Sequence, residues 1–368
     1  MAIYKVLFKP LESYFLGNER SFGFDTGNIR YYAESKEIPS QSTILGTLRY
    51  LGLQHVKSDF DYSDKEKEEN EQNVGKRSFS IDEPPLNYGY ITGISPIFIH
   101  SQGTGEEEKA SIYMPMPKNH KNDKEVYSPW ELSETFYETT KGNLKLPTDF
   151  SVKKGVTNDF VDVESGKRIS RNMIFGTDSR VGIKKTDSGT AVGTDNSGFF
   201  KKDYKYLKQS KAYESSFGVY VKTEQDIWED NVNKLAYIGQ GKSLFQVNFQ
   251  MIPGEKQNIA ECFEMKKTFE NAGIDLDQFL YFMSDSYVPD FNEKFKKLQN
   301  FSVIETVEYR GLRTNMGKKS SYHERFKKDE SLYRMISAGS IIYTDHKEEL
   351  LKIIRQPNLQ AAGYNHCL

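Results

Sequence analysis

The sequence has few residues of the kinds that build covalent or metal-centred frameworks. It contains 2 cysteines, Cys262 and Cys367, and 6 histidines among 368 residues. Two cysteines can form neither a disulfide framework nor a four-cysteine zinc site, and no His/Cys cluster has the spacing of metal ligands. We therefore expect a protein of a reducing compartment that holds no metal and no cofactor.

Long apolar segments are also missing. No part of the chain approaches the ~18 consecutive apolar residues that a membrane span requires. The apolar run at residues 3–8 is shorter than that of a secretory signal peptide. These absences predict a cytoplasmic protein that does not bind a membrane.

An excess of one charge is the third absence, because 50 Lys and Arg face 52 Asp and Glu for a formal net charge of −2. A uniformly basic protein that coats nucleic acid is therefore excluded, although local basic patches are not. Residues 57–71 carry seven acids and three lysines, a local charge of −4, which predicts a solvated insertion over 57–78. In contrast, residues 201–211 carry five lysines and one aspartate (+4), and residues 310–328 carry seven basic residues and one glutamate (+6).

Aromatic residues are plentiful, and several stand inside the basic segments. Tyr204 and Tyr206 lie in the first segment and Tyr322 in the second. Cations that meet phosphates, interleaved with rings that stack on bases, are typical of proteins that bind single-stranded nucleic acid. The alternative for each segment is an ordinary solvated loop, but several basic segments in one near-neutral chain favour a nucleic-acid-binding surface.

Hydrophobic periodicity predicts strands and helices without a regular alternation, which favours an α+β fold. The predicted strands are 3–8, 88–99, 110–116, 213–222, 245–251, 278–285, 301–309 and 335–343, and the predicted helices are 38–53, a short one near 130–139, 256–272, 291–299 and 346–355. Ser165-Gly166 predicts the turn of a hairpin over 156–175. Pro253-Gly254 predicts a boundary between domains 1–252 and 253–368.

Two segments have residue types that bind phosphate, and each has a structural alternative. Gly239-Gln-Gly-Lys-Ser243 fails as a Walker A motif because Ala236 stands where the first glycine is required, and Leu244 breaks the dinucleotide pattern. Its glycines and Lys242 can still approach a phosphate, although glycines in such a segment more often simply form a turn. Ser40-Gln-Ser-Thr43, at a predicted helix start, can bind an anion or simply cap the helix. No catalytic constellation stands out.

Further short motifs are spread along nearly the whole chain. The N-terminal ones are Val6-Leu-Phe-Lys-Pro-Leu-Glu-Ser-Tyr-Phe15, Gly17-Asn-Glu-Arg-Ser-Phe22 and Ile38-Pro-Ser-Gln-Ser-Thr-Ile-Leu-Gly-Thr-Leu-Arg49. The later ones are Arg180-Val-Gly-Ile183, Ser216-Phe-Gly-Val-Tyr-Val221, the glycine turn at 238–243, Ser337-Ala-Gly-Ser-Ile-Ile-Tyr343 and Ala362-Gly-Tyr-Asn365. In this order they resemble the third subunit of the type III-B CRISPR Cmr effector complex. One departure is the glycine turn, which lacks the glutamate of the family's Gly-Gly-Glu-Arg-like segment.

The resemblance implies an α+β fold of two ferredoxin-like (RRM-like) halves of the RAMP superfamily, with inserted loops and a protruding β-hairpin. In the family this protruding hairpin acts as a thumb, and our candidate for it is the hairpin at 156–175. The resemblance also implies a non-catalytic subunit that holds the 5′ handle of the CRISPR RNA (crRNA) and contacts the guide–target duplex. Its implied protein partners are the large polymerase-like subunit and the first backbone subunit. Subunits of types III-A and III-D share this architecture.

The motifs and the basic segments together predict the site residues. Those expected to bind the handle are Arg20, Ser40, Ser42, Arg49, Gly239, Gly241, Lys242 and Ser243. Those expected to contact RNA elsewhere are Arg168 and Arg171 on the hairpin, Arg310, Arg313, Lys318 and Lys319 at phosphates, and Tyr322 by stacking. Two other functions stay open: a crRNA-processing endoribonuclease with His323 as its acid or base, and a nucleotide-binding switch at the glycine turn.

Overall fold

The computed structural model describes most of the chain and shows a strand-rich protein of mixed helices and mainly antiparallel strands, consistent with the predicted α+β class. The described residues are 1–17, 32–56, 64–76, 79–104, 109–139, 142–148, 150, 155–183, 199–210, 212–239, 241–252, 259–263, 265–315, 327–328 and 331–368. Their strands are β1 (Ala2–Pro10), β2 (Tyr32–Glu34), β3 (Ile91–Ile94), β4 (Phe98–Gly103), β5 (Ala110–Pro115), β6 (Leu132–Thr139), β7 (Gly142–Pro147), β8 (Phe160–Asp162), β9 (Arg168–Ile169), β10 (Phe175–Ile183), β11 (Phe199–Leu207), β12 (Tyr213–Thr223), β13 (Val232–Ile238), β14 (Ser243–Met251), β15 (Phe279–Tyr281), β16 (Phe301–Val303), β17 (Thr306–Tyr309), β18 (Thr314–Asn315), β19 (Lys327–Lys328), β20 (Tyr333–Ile336) and β21 (Ile341–Tyr343). Their α-helices are α1 (Gln41–Val56), α2 (Asp64–Val74), α3 (Arg171–Ile174), α4 (Met265–Asn271), α5 (Phe291–Phe295), α6 (Lys347–Ile354) and α7 (Pro357–Ala361).

Nine strands form the largest sheet, in the order β13-β14-β1-β12-β4-β5-β8-β9, with β3 also paired to β12. Strand β1 lies in the middle and runs antiparallel to both β12 and β14. Its alternating side chains Tyr4, Val6 and Phe8 are fully buried on one face. Strand β14 likewise follows the alternation predicted at 245–251. The strands with the clearest period of two thus lie inside the sheet, each between two neighbours.

Helix α1 confirms the helix predicted at 38–53. Its residues Ile44, Leu48 and Leu51 fall at i, i+4 and i+7 and are fully buried. They belong to the same apolar cluster as Tyr4 and Val6 of β1, so the helix covers the buried face of the large sheet. No helix in the described part of the chain is long and apolar enough to cross a membrane.

Smaller sheets surround this unit. Strands β10 and β11 form a long antiparallel hairpin, and β2 runs parallel to β11. Beyond residue 258, β21 lies between β15 and β16. The C-terminal residues His366 and Leu368 hydrogen-bond to the other edge of β15, through the backbones of Met283 and Tyr281. The pairs β17–β20, β18–β19 and β6–β7 are two-stranded.

The apolar core is shared between residues before and after position 253. One cluster joins Tyr4 of β1 to Met335 of β20, and a second joins Phe98 of β4 to Tyr281 of β15. A third cluster contains only residues beyond position 279. The predicted boundary at Pro253 lies outside the described residues. Because two clusters cross it, the parts on either side bury apolar surface against each other.

One local prediction needs correction. The short helix expected near 130–139 is wrong, because Leu132–Thr139 is strand β6, paired with β7. Its Thr, Phe and Tyr side chains favour a strand, and the partner strand supplies the backbone hydrogen bonds. Within the predicted acidic insertion, residues 64–74 form helix α2, while 57–63 and 77–78 lie outside the described residues.

The hairpin predicted at 156–175 is present but short and packed. Strands β8 and β9 pair at one edge of the large sheet, and residues 171–174 form helix α3. Phe160 and Val161 of β8 are buried. This hairpin therefore extends the sheet instead of protruding. The β6–β7 ribbon is more exposed, since Phe136 and Tyr137 show 49% and 50% of their surface to solvent.

Candidate nucleic-acid interface

The glycine turn is the loop of a β-hairpin. It joins β13 to β14, where Ile238 pairs with Ser243. Gly239 has φ +79°, and a Cβ there would lie 2.8 Å from the backbone oxygen of Phe15. A Cβ at Gly241 would lie 2.9 Å from Cβ of Phe15. Because Gly239 and Gly241 have no side chain, residues 11–16 can pack directly against the turn. Because a strand and not a helix follows the turn, the helix N-terminus of a P-loop is missing.

Ser243 holds Phe15 in place beside this turn. Its hydroxyl oxygen is buried and accepts a hydrogen bond from the Phe15 N–H at 3.0 Å. The Phe15 carbonyl accepts one from the Gly241 N–H at 3.4 Å. Of the four predicted turn residues, Gly239, Gly241 and Ser243 thus have a positioning role within the protein. Lys242 has an exposed side chain.

The β10–β11 hairpin carries cations and rings on one face. Opposite pairs share a face of an antiparallel sheet, and the register pairs Gly176 with Tyr206, Asp178 with Tyr204, and Arg180 with Lys202. We call these six residues the aromatic face. The Arg180 guanidinium carbon lies 4.4 Å from the Tyr204 ring centroid, and the Tyr204 ring packs edge-on against Phe15 at 5.5 Å.

The aromatic face and the glycine turn meet at residues 13–16. Lys202 Nζ lies 5.4 Å from the Phe15 ring centroid. Tyr14 exchanges backbone hydrogen bonds with Lys205 at 2.7 and 3.0 Å. Gly17 is followed, among the described residues, by Tyr32 of β2. Arg20 itself lies outside the described residues.

On the opposite face of the hairpin, the lysines are paired with acidic side chains. Lys205 is buried and lies 2.9 Å from Glu34, and Lys201 lies 3.5 Å from Asp203. Asp203 also accepts hydrogen bonds from Tyr32 and Ser179, which hold its pKa below the usual range together with Lys201. Asp203 is already counted in the local charge of +4, and Glu34, from a distant part of the chain, offsets one further charge at Lys205.

The helix N-terminus at Ser40 and Ser42 is already satisfied by protein groups. The Ser40 hydroxyl oxygen accepts a hydrogen bond from the Thr43 N–H at 3.3 Å. The Ser42 N–H donates to the hydroxyl oxygen of Tyr364 at 3.1 Å. Capping thus accounts for these residues, and an anion would have to displace Tyr364.

Arg49 binds the end of helix α2. Its Nε–H donates to the Val74 carbonyl at 2.6 Å, and its Nη2 donates to the carbonyls of Gly75 (3.1 Å) and Lys76. The guanidinium carbon also lies 5.7 Å from the Tyr88 ring centroid, and burial lowers its pKa. These contacts give Arg49 a structural role, and its handle contact stays a prediction.

Arg168 and Arg171 are ion-paired within the protein. Arg168 Nε lies 2.6 Å from Asp159, and Arg171 Nε lies 2.5 Å from Glu37. Arg171 still exposes 45% of its side chain. It lines a cleft of about 430 Å³ whose walls include Glu37, Asp285 and Glu305. The lining also includes Lys36, Lys118 and Lys205, so charges of both signs face this cleft.

The predicted phosphate track is described only at its start. Arg310 and Arg313 are exposed, and Arg313 forms a bridge to Ser80. The remaining residues predicted here, Lys318, Lys319, Tyr322 and the alternative acid/base His323, lie outside the described residues.

The described histidines do not form an acid–base or metal site. Burial lowers the pKa of His100 and of His366 to about 4 in each case. His366 is held by the carbonyls of Ile94 and Gln360 at 3.2 and 3.1 Å. Within the described residues no group of three or more His, Cys, Asp or Glu side chains could hold a metal ion.

Three contributors to this surface were missed by sequence reasoning about the site. Phe15 and Arg180 stood in motifs of the family resemblance without an assigned role, and Tyr204 was noted only within a basic segment. The alternation of Lys202, Tyr204 and Tyr206 could have placed these three on one strand face. The contact with Phe15 depends on a pairing across 228 positions, between Phe15 and Ser243.

The described part of the chain is therefore a strand-rich α+β protein with a cationic, aromatic hairpin beside a glycine turn. A family model described as "CRISPR-associated protein (Cas_Cmr3)" matches residues 6–368. The chain belongs to this Cmr3 family, as the sequence motifs predicted. A search of curated proteins finds no match.

Two solved structures share this fold. One is a chain of the type III-B Cmr-beta complex bound to cognate target RNA, with 14% identity and a TM-score of 0.50, covering 99% of this chain and 96% of that one. The other is a chain of the same complex bound to cognate target RNA and AMPPnP, with 13% identity and a TM-score of 0.51 over the same shares. These similarities extend over almost the entire chain.

Proposed function

We propose that this chain is a non-catalytic subunit of a type III CRISPR RNA-guided effector complex, where it binds the 5′ handle of the crRNA. Membership of the Cmr3 family over residues 6–368 carries the proposal. The solved relatives are chains of type III-B complexes bound to target RNA. A role inside an assembly also agrees with a near-neutral chain whose basic residues are concentrated in segments.

Strand order supports the proposal of two ferredoxin-like halves. In the first half the antiparallel order is β14-β1-β12-β4, with helix α1 after β1. In the second half the order is the C-terminal residues, then β15, β21 and β16, with α5 after β15. When the strands of each half are numbered from 1 to 4 in chain order, with the C-terminal residues as the fourth strand of the second half, both sheets have the order 4-1-3-2. This is the strand order of a ferredoxin-like sheet. The first half carries strand β13 where a second helix would stand.

We place the handle at the surface formed by the glycine turn, residues 13–17 and the aromatic face. This surface offers the exposed side chain of Lys242, the cations of the hairpin and several rings. Arg20 follows Gly17 by three positions in the sequence. Single-stranded RNA is bound by this combination of phosphate contacts and stacked bases.

Of the two hairpins, β10–β11 suits contact with the guide–target duplex better than 156–175. It is longer, and its aromatic face is partly exposed. In 156–175, by contrast, both arginines are paired with acids. We therefore assign the duplex contact to β10–β11.

Docking of the large and backbone subunits fits the β6–β7 ribbon. Its exposed rings Phe136 and Tyr137 are typical of protein interfaces. Glu134 and Glu138 on the same strand disfavour RNA, because they repel phosphates. The ribbon stands apart from the aromatic face in sequence and in sheet, so RNA and protein contacts use different elements.

The test is RNA binding by the assembled complex with a wild-type and a scrambled 5′ handle, at several salt concentrations. We expect tighter binding to the wild-type handle, and equal affinity for both would refute handle recognition. The purified chain is also incubated with repeat RNA. Cleavage that His323→Ala abolishes would establish the endoribonuclease in place of the scaffold.

A further inference from the structure

Arg180 lies over the Tyr204 ring as the outermost of three contacting side chains at the aromatic face. Its guanidinium carbon is 4.4 Å from the Tyr204 ring centroid. Tyr204 is supported in turn by the Phe15 ring at 5.5 Å, and Phe15 is fixed by its hydrogen bond to Ser243. Tyr204 is thus supported from below by a ring that the Ser243 hydroxyl and the Gly241 N–H hold in place.

The guanidinium is held in one orientation before any ligand arrives. Its Nε and Nη2 donate to one carboxylate oxygen of Asp178, at 2.9 and 2.7 Å. That oxygen also accepts a hydrogen bond from the Ser13 hydroxyl at 3.0 Å. A planar group fixed in this way loses little conformational freedom when a second planar group packs on it.

Arg180 is nevertheless open to solvent and already has a counter-ion. Its side chain is 52% exposed. The hydrogen bond and charge of Asp178 raise the pKa of Arg180, while the same contacts lower the pKa of Asp178. A cation neutralised by a neighbour adds little to phosphate binding, but its flat face remains a stacking surface.

We propose that Arg180, stacked on Tyr204, is a binding site for an unpaired nucleobase of single-stranded RNA. The site rests on the proposed RNA-binding function and gives the aromatic face a role other than phosphate neutralisation. The base lies on the exposed side of the guanidinium, so that the contacting groups follow one another in the order Phe15, Tyr204, Arg180 and base. Because stacking area decides the affinity, purines bind better than pyrimidines at this position.

The experiment measures binding of the full chain to single-stranded RNA of about 10 nucleotides and to an abasic strand with the same backbone. The test variant is Arg180→Lys, which keeps the charge and the pairing with Asp178 but loses the plane. The matched control is Arg334→Lys, since Arg334 is an exposed arginine paired with Glu308 in another sheet. Thermal unfolding of each variant verifies that it is folded.

We expect Arg180→Lys to weaken binding of the base-containing strand by at least about fivefold. Binding of the abasic strand and the salt dependence should be unchanged, and Arg334→Lys should behave as wild type. An equal loss on both strands, or no loss, would overturn the stacking site while the RNA-binding function stands. If the wild-type chain and the assembled complex bind neither strand, the proposed function fails as well. Tyr204→Leu is the second variant, and an unchanged affinity for the base-containing strand there would also overturn the site.

Discussion

Arg49 provides the sharpest test of a structural role against a role in RNA binding. Its guanidinium donates hydrogen bonds to the carbonyls of Val74, Gly75 and Lys76 and lies over the Tyr88 ring. Replacement by alanine removes all of these contacts and leaves carbonyls at the end of helix α2 without a partner. A hydrogen bond to a charged group contributes about 1.5–3 kcal/mol, and water can replace part of it at this partly buried site. We therefore expect Arg49→Ala to lower the free energy of unfolding by about 2–4 kcal/mol.

The measurement is urea unfolding of the purified chain, followed by RNA binding well below the unfolding transition. Arg49→Lys is the control, because it keeps the charge but cannot serve three carbonyls in one plane. It should lose part of the stability as well, while a phosphate contact would survive this change. RNA affinity should stay unchanged in both variants. Wild-type stability combined with weaker RNA binding in Arg49→Ala would return Arg49 to the handle site and refute the structural interpretation.

Three further outcomes follow from the same contacts. Gly239→Ala should destabilise the chain by about 1–3 kcal/mol, because φ is positive there and the new Cβ would clash with the Phe15 carbonyl. The control in urea unfolding is Gly155→Ala, which also has positive φ but lies in open space. An equal loss of stability in both variants would contradict the clash. Burial lowers the pKa of His366 to about 4, so the unfolded state binds its proton first and stability should fall by up to about 3 kcal/mol as pH drops from about 6.5 towards 4. His366→Gln should flatten that loss, and an unchanged pH profile of unfolding would refute the assignment. Lys205→Met should reduce stability without changing the salt dependence of RNA binding, because its charge already serves Glu34; a smaller salt slope would show that it reaches phosphate.

Local patterns predicted the central elements well. The alternation in 245–251 and the helical spacing of Ile44, Leu48 and Leu51 each correspond to an observed element. These patterns arise because one face of each element is buried, which imposes a period of two or about 3.6 on its residues. Residues 130–139 were predicted wrongly because a strand exposed on both faces has no such period. Its conformation depends on the partner strand β7.

The sequence predicted the type of the candidate site better than the residues that form it. The sequence indicated basic and aromatic segments, a glycine turn and the family, and the family match confirms the last of these. It could not show that Arg49 binds α2 or that Lys205 is buried against Glu34. Opposite charges far apart in sequence neutralise each other only when the chain brings them together.

The sequence by itself determined the family, since its ordered motifs indicated Cmr3, and its two cysteines exclude a disulfide framework and a four-cysteine zinc site. Tertiary structure alone decided which residues are available for binding. Arg171 pairs with Glu37 across 134 positions, and Phe15 meets Ser243 across 228. Local periodicity records burial over a few residues, whereas these contacts depend on strand order and register, which no short stretch of sequence contains.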